Sequence, residues 1–234
     1  MDTNDELIKK MEWNNNIKNK EEKEVLARMV ASKVKDGDVI SFGSGTTSFL
    51  TVLEISKKCE KENLHIIAVP TSNQIEKLCE YLKIKTAKLE EVKIDWGFDG
   101  ADEVDENNWL IKGLGGAMYR EKKNILKSPK IYILVDNSKI VSKLGEKCPV
   151  PVECRKEMVE DVMKKLKKIG AQECDIRKNK DNASLYVTDN DNYIIDAKFN
   201  EIDKKMEKRI NRISGVVDNG LFIKYKNIEI IKNK

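Results

Sequence analysis

The sequence predicts an α/β protein, with a doubly wound, mostly parallel sheet followed by a smaller α+β unit. Two observations carry this prediction. Helical and strand periodicities alternate over the first two-thirds of the 234 residues, as expected of a parallel sheet with helices on its faces. Beyond Cys148-Pro149-Val150-Pro151 the order becomes strand, helix, strands, helix, strand, which is that of a split βαβ unit. The expected domains are residues 1–147 with 216–234, and residues 148–215.

The elements follow in chain order. Met1 to Lys20 is polar and charged and reads as a frayed start. Val25 to Val34 is an amphipathic helix, with Gly37 as a left-handed cap. Val39 to Phe42 is a strand, and Thr47 to Cys59 a helix capped by Thr46 or Thr47. His65 to Val69 is a strand, and Ser72 caps a helix carrying Ile75, Leu78, Cys79 and Leu82. Alternating Ile94, Trp96 and Phe98 make a strand; Trp109 to Ile111 is another. A helix spans Tyr119 to Leu126. Ile131 to Val135 is almost wholly apolar, as in a parallel sheet buried on both faces. The second unit holds a strand at Val150 to Cys154, a helix at Lys156 to Ile169 closed by Gly170, and strands at Glu173 to Arg177, Ser184 to Val187 and Tyr193 to Ala197. Asp189 to Asn192 is the turn between the last two. Ile202, Met206, Ile210 and Ile213 share one helix face. Val216-Val217, Leu221 to Ile223 and Ile228 to Ile231 are expected to return to the first sheet.

Composition narrows the function. Forty-four basic residues stand against 40 acidic ones, with the signs interspersed. A nucleic-acid binder concentrates its basic charge, so no nucleic-acid partner is expected. The lysines of 164–168 alternate with Met163, Leu166 and Ile169 and read as the wet face of a helix. No apolar run reaches the length of a membrane span, and no signal-peptide core is present. The five cysteines lack CxxC spacing, so neither a disulfide framework nor a zinc site is indicated; a reduced, cytoplasmic setting is expected. His65 is the one histidine. Carboxylates and lysines are then the available acid–base groups, and no metal is expected.

Three stretches carry chemistry. The first is Lys112-Gly113-Leu114-Gly115-Gly116-Ala117-Met118-Tyr119-Arg120-Glu121. Glycines let a ligand approach the backbone, and exposed N–H groups cradle an anion or a developing oxyanion. Lys112 adds positive charge, and Glu121 supplies a carboxylate that accepts and returns a proton. The stretch reads equally as a Gly-rich turn between a strand and a helix. The second is Asp99-Gly100-Ala101-Asp102-Glu103-Val104-Asp105. It sits at a strand's C-terminal end, where open α/β sheets bind ligands; it also reads as an acidic turn. The third is Gly43-Ser44-Gly45-Thr46-Thr47-Ser48, between a strand and a helix, which offers N–H groups and hydroxyls to a phosphate. It lacks the Gly-Lys-Ser/Thr of a P-loop.

Together these stretches resemble the ribose-5-phosphate isomerases of the A type. Val135-Asp136-Asn137-Ser138-Lys139, Val69-Pro70-Thr71-Ser72, Pro151-Val152-Glu153 and Gly215 to Phe222 add to the resemblance, which runs from about residue 25 to 231. It implies a larger Rossmann-like domain and a smaller ferredoxin-like one. It also implies interconversion of ribose 5-phosphate and ribulose 5-phosphate through a cis-enediolate, without metal or organic cofactor. Glu121 then resembles the proton-shuttling base. Lys112 and the turn of Gly113, Leu114 and Gly115 stabilise the enediolate. Asp99 and Asp102, with Gly100 and Ala101 between them, handle the sugar hydroxyls and ring opening. Ser44, Gly45, Thr46 and Thr47 bind substrate near its phosphate, and Lys139 is a further substrate contact. Repulsion among the carboxylates raises a pKa and Lys112 opposes it, leaving the net direction open.

This sequence departs from the family pattern at Leu114, where glycine is common; a leucine resists positive φ. Ser44 and Thr46 exchange hydroxyl types, and Tyr119 is larger than usual. Alternatives of related fold are an amino-sugar phosphate deaminase, which would call on a histidine, a CoA transferase, and a sugar-phosphate-binding sensor. The resemblance further implies a homodimer or homotetramer.

Overall fold

The computed structural model describes residues 17–179 and 183–232; the expected frayed start falls mainly outside them. The chain divides into two compact units. The first holds the described part of Met1–Gly100, with Lys123–Ser138 and Asn227–Lys234. The second holds Ala101–Lys122 and Lys139–Lys226.

The first unit contains helix α1 (Lys20–Ala31), strand β1 (Val39–Phe42), α2 (Gly45–Glu62), β2 (Ile67–Pro70), α3 (Asn73–Tyr81), β3 (Lys85–Thr86), β4 (Trp96–Gly100), the C-terminal half of α4 (Met118–Lys127), β7 (Ile131–Val135) and β13 (Ile228–Lys232). Its six-stranded sheet runs β13-β7-β4-β1-β2-β3, and every pairing is parallel. The order reverses between β1 and β4. In a doubly wound sheet the ligand crevice opens at that reversal, beyond the strands' carboxyl ends. Ile40 and Phe42 are fully buried. The Phe42 and Phe98 ring centroids lie 5.0 Å apart, locking β1 to β4 where the two strands end. Burying each such ring contributes about 1.5–3 kcal/mol. Asn124 of α4 donates to Ser41 Oγ and to the Val69 carbonyl, both at 3.0 Å, so a buried amide ties the helix to β1 and β2.

The second unit contains β5 (Glu103–Val104), β6 (Leu110–Ile111), β8 (Val150–Cys154), α5 (Val159–Lys168), β9 (Ala171–Ile176), β10 (Tyr193–Phe199), α6 (Met206–Asn211), β11 (Val216–Asn219) and β12 (Leu221–Phe222). Its antiparallel sheet has the order β11-β8-β10-β9, the ferredoxin-like arrangement of a βαββαβ chain. A second sheet, β12-β6-β5, is also antiparallel. Val152, Val162, Leu166, Ile195 and Ile210 form the unit's core.

The fold class agrees with the sequence reading; several details differ. Helix α1 stops at Ala31, and Gly37, with φ 80°, turns the chain into β1 instead. Ser44 in extended backbone caps α2, ahead of Thr46 and Thr47. Ser184 to Val187 makes two isolated bridges, at Leu185 and Val187, and no strand. Of the three terminal apolar pieces, only Ile228–Lys232 joins the six-stranded sheet. β11 pairs with β8, and β12 with β6. Pairing decides these cases, because hydrophobicity alone does not say which sheet a short strand completes.

Candidate active site

In the first unit the turn after β1 meets the end of β4. Asp99 is buried, and its Oδ1 accepts from the Ser44 N–H at 3.1 Å, the Gly100 N–H at 2.7 Å and the Ser48 hydroxyl at 3.4 Å. One carboxylate oxygen therefore fixes the start of α2. Gly45 has φ 86° and is exposed. Ser44 Oγ lies 2.7 Å from Thr71 Oγ1, whose hydroxyl also reaches the Phe42 carbonyl at 3.1 Å. Lys23 of α1 is buried, with its Nζ 3.1 Å from Thr46 Oγ1 and 3.9 Å from Asp136 Oδ2. Thr47 borders Gly100: a Cβ built there would lie 3.7 Å from the Thr47 Cβ. A helix N-terminus with two neighbouring hydroxyls and an ammonium group is chemically an anion site.

The second unit holds a buried lysine–glutamate pair. β6 delivers Lys112, and its N–H donates to the Gly220 carbonyl at 2.9 Å. Glu121 stands on the first turn of α4. Lys112 Nζ is 3.2 Å from Glu121 Oε2, and the two side chains are 3% and 6% exposed. The Phe222 ring lies 5.9 Å from the same ammonium. This is an ion pair shielded from water, so each charge governs the other strongly.

Between them runs the glycine turn. Gly113 has φ 102° and a Cβ there would lie 2.5 Å from Met118 Sδ; Gly116 has φ 83° and would place one 2.3 Å from Tyr186 Oη. Both positions exclude side chains on backbone and steric grounds. Leu114 has ordinary negative φ and an exposed side chain, which is why the turn tolerates it. Its N–H donates to Asp102 Oδ2 at 3.0 Å. Asp102 is half-buried, as is Ala101 beside it. Gly115 is exposed. Lys139 closes a 3-10 turn, Asn137–Lys139, after β7 and is partly exposed.

The structure thus gathers Ser44 to Thr47 with Asp99 and Gly100 in one unit. In the other it gathers Asp102, Lys112, Gly113 to Gly115 and Glu121. Sequence reasoning missed Lys23, Thr71, Arg177 and Tyr186. Lys23 had a signal, a lysine on the apolar face of an amphipathic helix, three residues before Leu26. Arg177 had none: it donates to the Gly113 and Leu114 carbonyls at 2.7 and 2.9 Å across 64 and 63 residues. His65 lies 82% exposed beside Asp36. No group of three His, Cys, Asp or Glu poised to hold a metal occurs among the described residues. No helix among them is long and apolar enough to cross a membrane.

The chain as a whole is similar to known proteins. Residues 67–234 match the family model of ribose 5-phosphate isomerase A (phosphoriboisomerase A). The ribose-5-phosphate isomerase A of Methanocaldococcus jannaschii is 38% identical over 91% of this chain and 94% of its own length. The solved structure of ribose 5-phosphate isomerase A from that organism superposes with a TM-score of 0.86, covering 91% of this chain and 95% of the other. A D-ribose-5-phosphate isomerase solved in complex with phospho-erythronic acid gives 0.87 at 33% identity, covering 93% and 96%.

Proposed function

The chain belongs to the ribose-5-phosphate isomerase A family, and from that premise we propose that it interconverts D-ribose 5-phosphate and D-ribulose 5-phosphate. The observation that carries the reading is the buried Lys112–Glu121 pair, 3.2 Å apart, at the two ends of a glycine turn whose Gly115 is exposed. A carboxylate removes the C2 proton of the open-chain aldose, and electrons move through C1–C2 onto the C1 oxygen. The resulting cis-enediolate collapses when Glu121 returns its proton to C1, while the O2 proton passes to O1. Ribulose 5-phosphate results, and Glu121 is again a carboxylate. Lys112 and the N–H groups of the turn stabilise the oxyanion. Losing one such donor typically costs about 3–4 kcal/mol of barrier.

Asp102 handles a sugar hydroxyl through Oδ1, which has no donor among the described residues, and Asp99 assists at ring opening. Ser44, Gly45, Thr46 and Thr47 anchor the phosphate, and Lys139 adds a cationic contact. The phospho-erythronic acid bound by a relative supports the reading, since its planar carboxylate has the shape and charge of an enediolate. The protein works as a cytoplasmic homo-oligomer in this reading, a dimer or tetramer, and takes no cofactor. The test is conversion of ribose 5-phosphate by the purified protein in EDTA, with Glu121→Gln alongside. Turnover by the wild type and none by a folded variant is expected. A folded wild type without turnover removes the isomerase assignment; an active variant removes Glu121 from the chemistry.

A further inference from the structure

The glycine turn is held from outside as well as by its own closing hydrogen bond. Its Gly113 and Leu114 carbonyls are both seated on Arg177 Nη1, at 2.7 and 2.9 Å. The same guanidinium pairs with Asp196, through Nε to Oδ2 at 2.9 Å and through Nη2 to Oδ1. Arg177 leaves the sheet directly after β9, and Asp196 lies on the adjacent strand β10. Its backbone is pinned on both sides, by its own N–H to the Ile194 carbonyl at 2.8 Å and by the Tyr186 N–H to its carbonyl at 2.9 Å. The side chains of Arg177 and Asp196 are 10% and 22% exposed. Tyr186 completes the support, with its hydroxyl 3.2 Å from the Gly115 carbonyl.

A trans peptide is planar, so its C=O and the next residue's N–H point opposite ways. Seating the Gly113 and Leu114 carbonyls on one guanidinium therefore turns the Leu114 and Gly115 N–H groups away from it together. The Leu114 N–H meets Asp102. The Gly115 N–H has no acceptor among the described residues, and the residue is exposed. Gly116 is already committed, its N–H closing the turn onto the Gly113 carbonyl at 3.0 Å. A charged donor on a carbonyl also polarises that peptide, which strengthens the N–H on its other side.

We propose that Arg177, seated by Asp196, is the positioning residue that aims the Gly115 N–H at the enediolate while holding the Leu114 N–H on Asp102. This rests on the isomerase reading above. Arg177 touches no reacting atom; it acts through two peptide planes. A lysine does not replace it, because a point charge lacks the planar fork that spans a carboxylate and two carbonyls at once.

The test compares Arg177→Ala and Arg177→Lys with the wild type, each first shown to be folded by circular dichroism. For Arg177→Ala, kcat is expected to fall about 10²–10³-fold, the usual loss for a disabled oxyanion donor, with KM within about threefold of wild type because ground-state contacts persist. Guanidinium at low millimolar concentration, far below denaturing levels, restores part of the Arg177→Ala turnover and leaves the wild type unmoved. Phospho-erythronic acid binding, read by calorimetry, weakens in parallel with kcat. A folded Arg177→Ala with unchanged kcat, with only KM raised, or with no response to guanidinium overturns the proposal. Where Arg177→Ala does not fold, Arg177→Lys decides: lowered kcat supports the proposal and wild-type kcat overturns it. A wild type that binds phospho-erythronic acid without turning over ribose 5-phosphate would remove the isomerase reading while the binding comparison still tests Arg177.

Discussion

Removing one member of the Lys112–Glu121 pair should damage stability and turnover together, whereas removing both should restore stability alone. The two side chains are 3% and 6% exposed, with 3.2 Å between charges, so water does little to screen them. Breaking such a pair from one side leaves a buried charge without its counter-ion and costs about 3–5 kcal/mol. For a chain of 234 residues each kcal/mol moves the melting temperature by roughly 2–4 °C. Lys112→Met alone, or Glu121→Gln alone, should therefore melt roughly 6–20 °C below wild type. The double variant carries no buried charge at this place, and its loss should be well below the sum of the two. All three should lack isomerase turnover. Thermal melts by circular dichroism, with the ribose 5-phosphate assay in EDTA, complete the double-mutant cycle. Additive losses would show that the two groups do not share their charge, and a Lys112→Met variant as stable as wild type would refute the reasoning outright.

Three further outcomes are expected. Ser44→Ala deletes a hydroxyl 2.7 Å from Thr71 in the turn proposed to anchor the phosphate; losing a bond to a charged group costs about 1.5–3 kcal/mol, so KM should rise roughly 10–100-fold with kcat little changed, and an unchanged KM in steady-state kinetics would take Ser44 out of substrate binding. Burial pushes Asp136 up, but hydrogen bonds from Ser138 and Asn19 and the Lys23 charge outweigh it, so its carboxyl titrates below the usual range. A depressed folded value contributes stability that is present above the ordinary carboxylate pKa and lost as pH falls through the folded one. Asp136→Asn should thus melt below wild type at pH 7, with the gap closing in acid; a constant gap across melts from pH 7 to 3 would contradict this. Burial, reinforced by nearby carboxylates, pushes the Cys79 and Cys154 thiols up to about 12 and raises Cys148 beside Glu103. Native protein at pH 8 should leave these three unlabelled by a disulfide reagent until it unfolds, and rapid native labelling of any of them would show that the site opens.

What the sequence disclosed, and what it withheld, follows from the range of the interactions involved. β1 and β7 were legible because a strand buried on both faces is apolar without interruption. Ser72 was legible because capping is local: its side chain accepts from the Ile75 N–H at 3.3 Å. The two-residue strands Lys85–Thr86 and Glu103–Val104 are too short to show any period. Val216–Asn219 is assigned to its sheet by pairing with β8, a partner more than 60 residues earlier in the chain. The same contrast holds in the site. Lys112 and Glu121 are read from one motif, and so are their glycines. The support beneath those glycines comes from Arg177 and Tyr186, whose partners lie 63 to 71 residues away.

The pair also explains how one glutamate can carry the proposed reaction in a chain whose sole histidine lies exposed on the surface. At rest, the Glu121 carboxylate and the Lys112 ammonium sum to zero charge. When Glu121 accepts the C2 proton it becomes neutral, and the negative charge appears on the enediolate. The total is unchanged, and only the partner of Lys112 has been exchanged. A shielded site pays heavily for any new net charge, so a step that moves a charge from one neighbour of the ammonium to another avoids that cost. The turn's N–H groups then lower the barrier further, because they gain strength only once the oxyanion has formed. By the same argument, replacing Lys112 with a neutral residue harms the base and the oxyanion together, and a second neutral change at Glu121 can relieve only the stability loss.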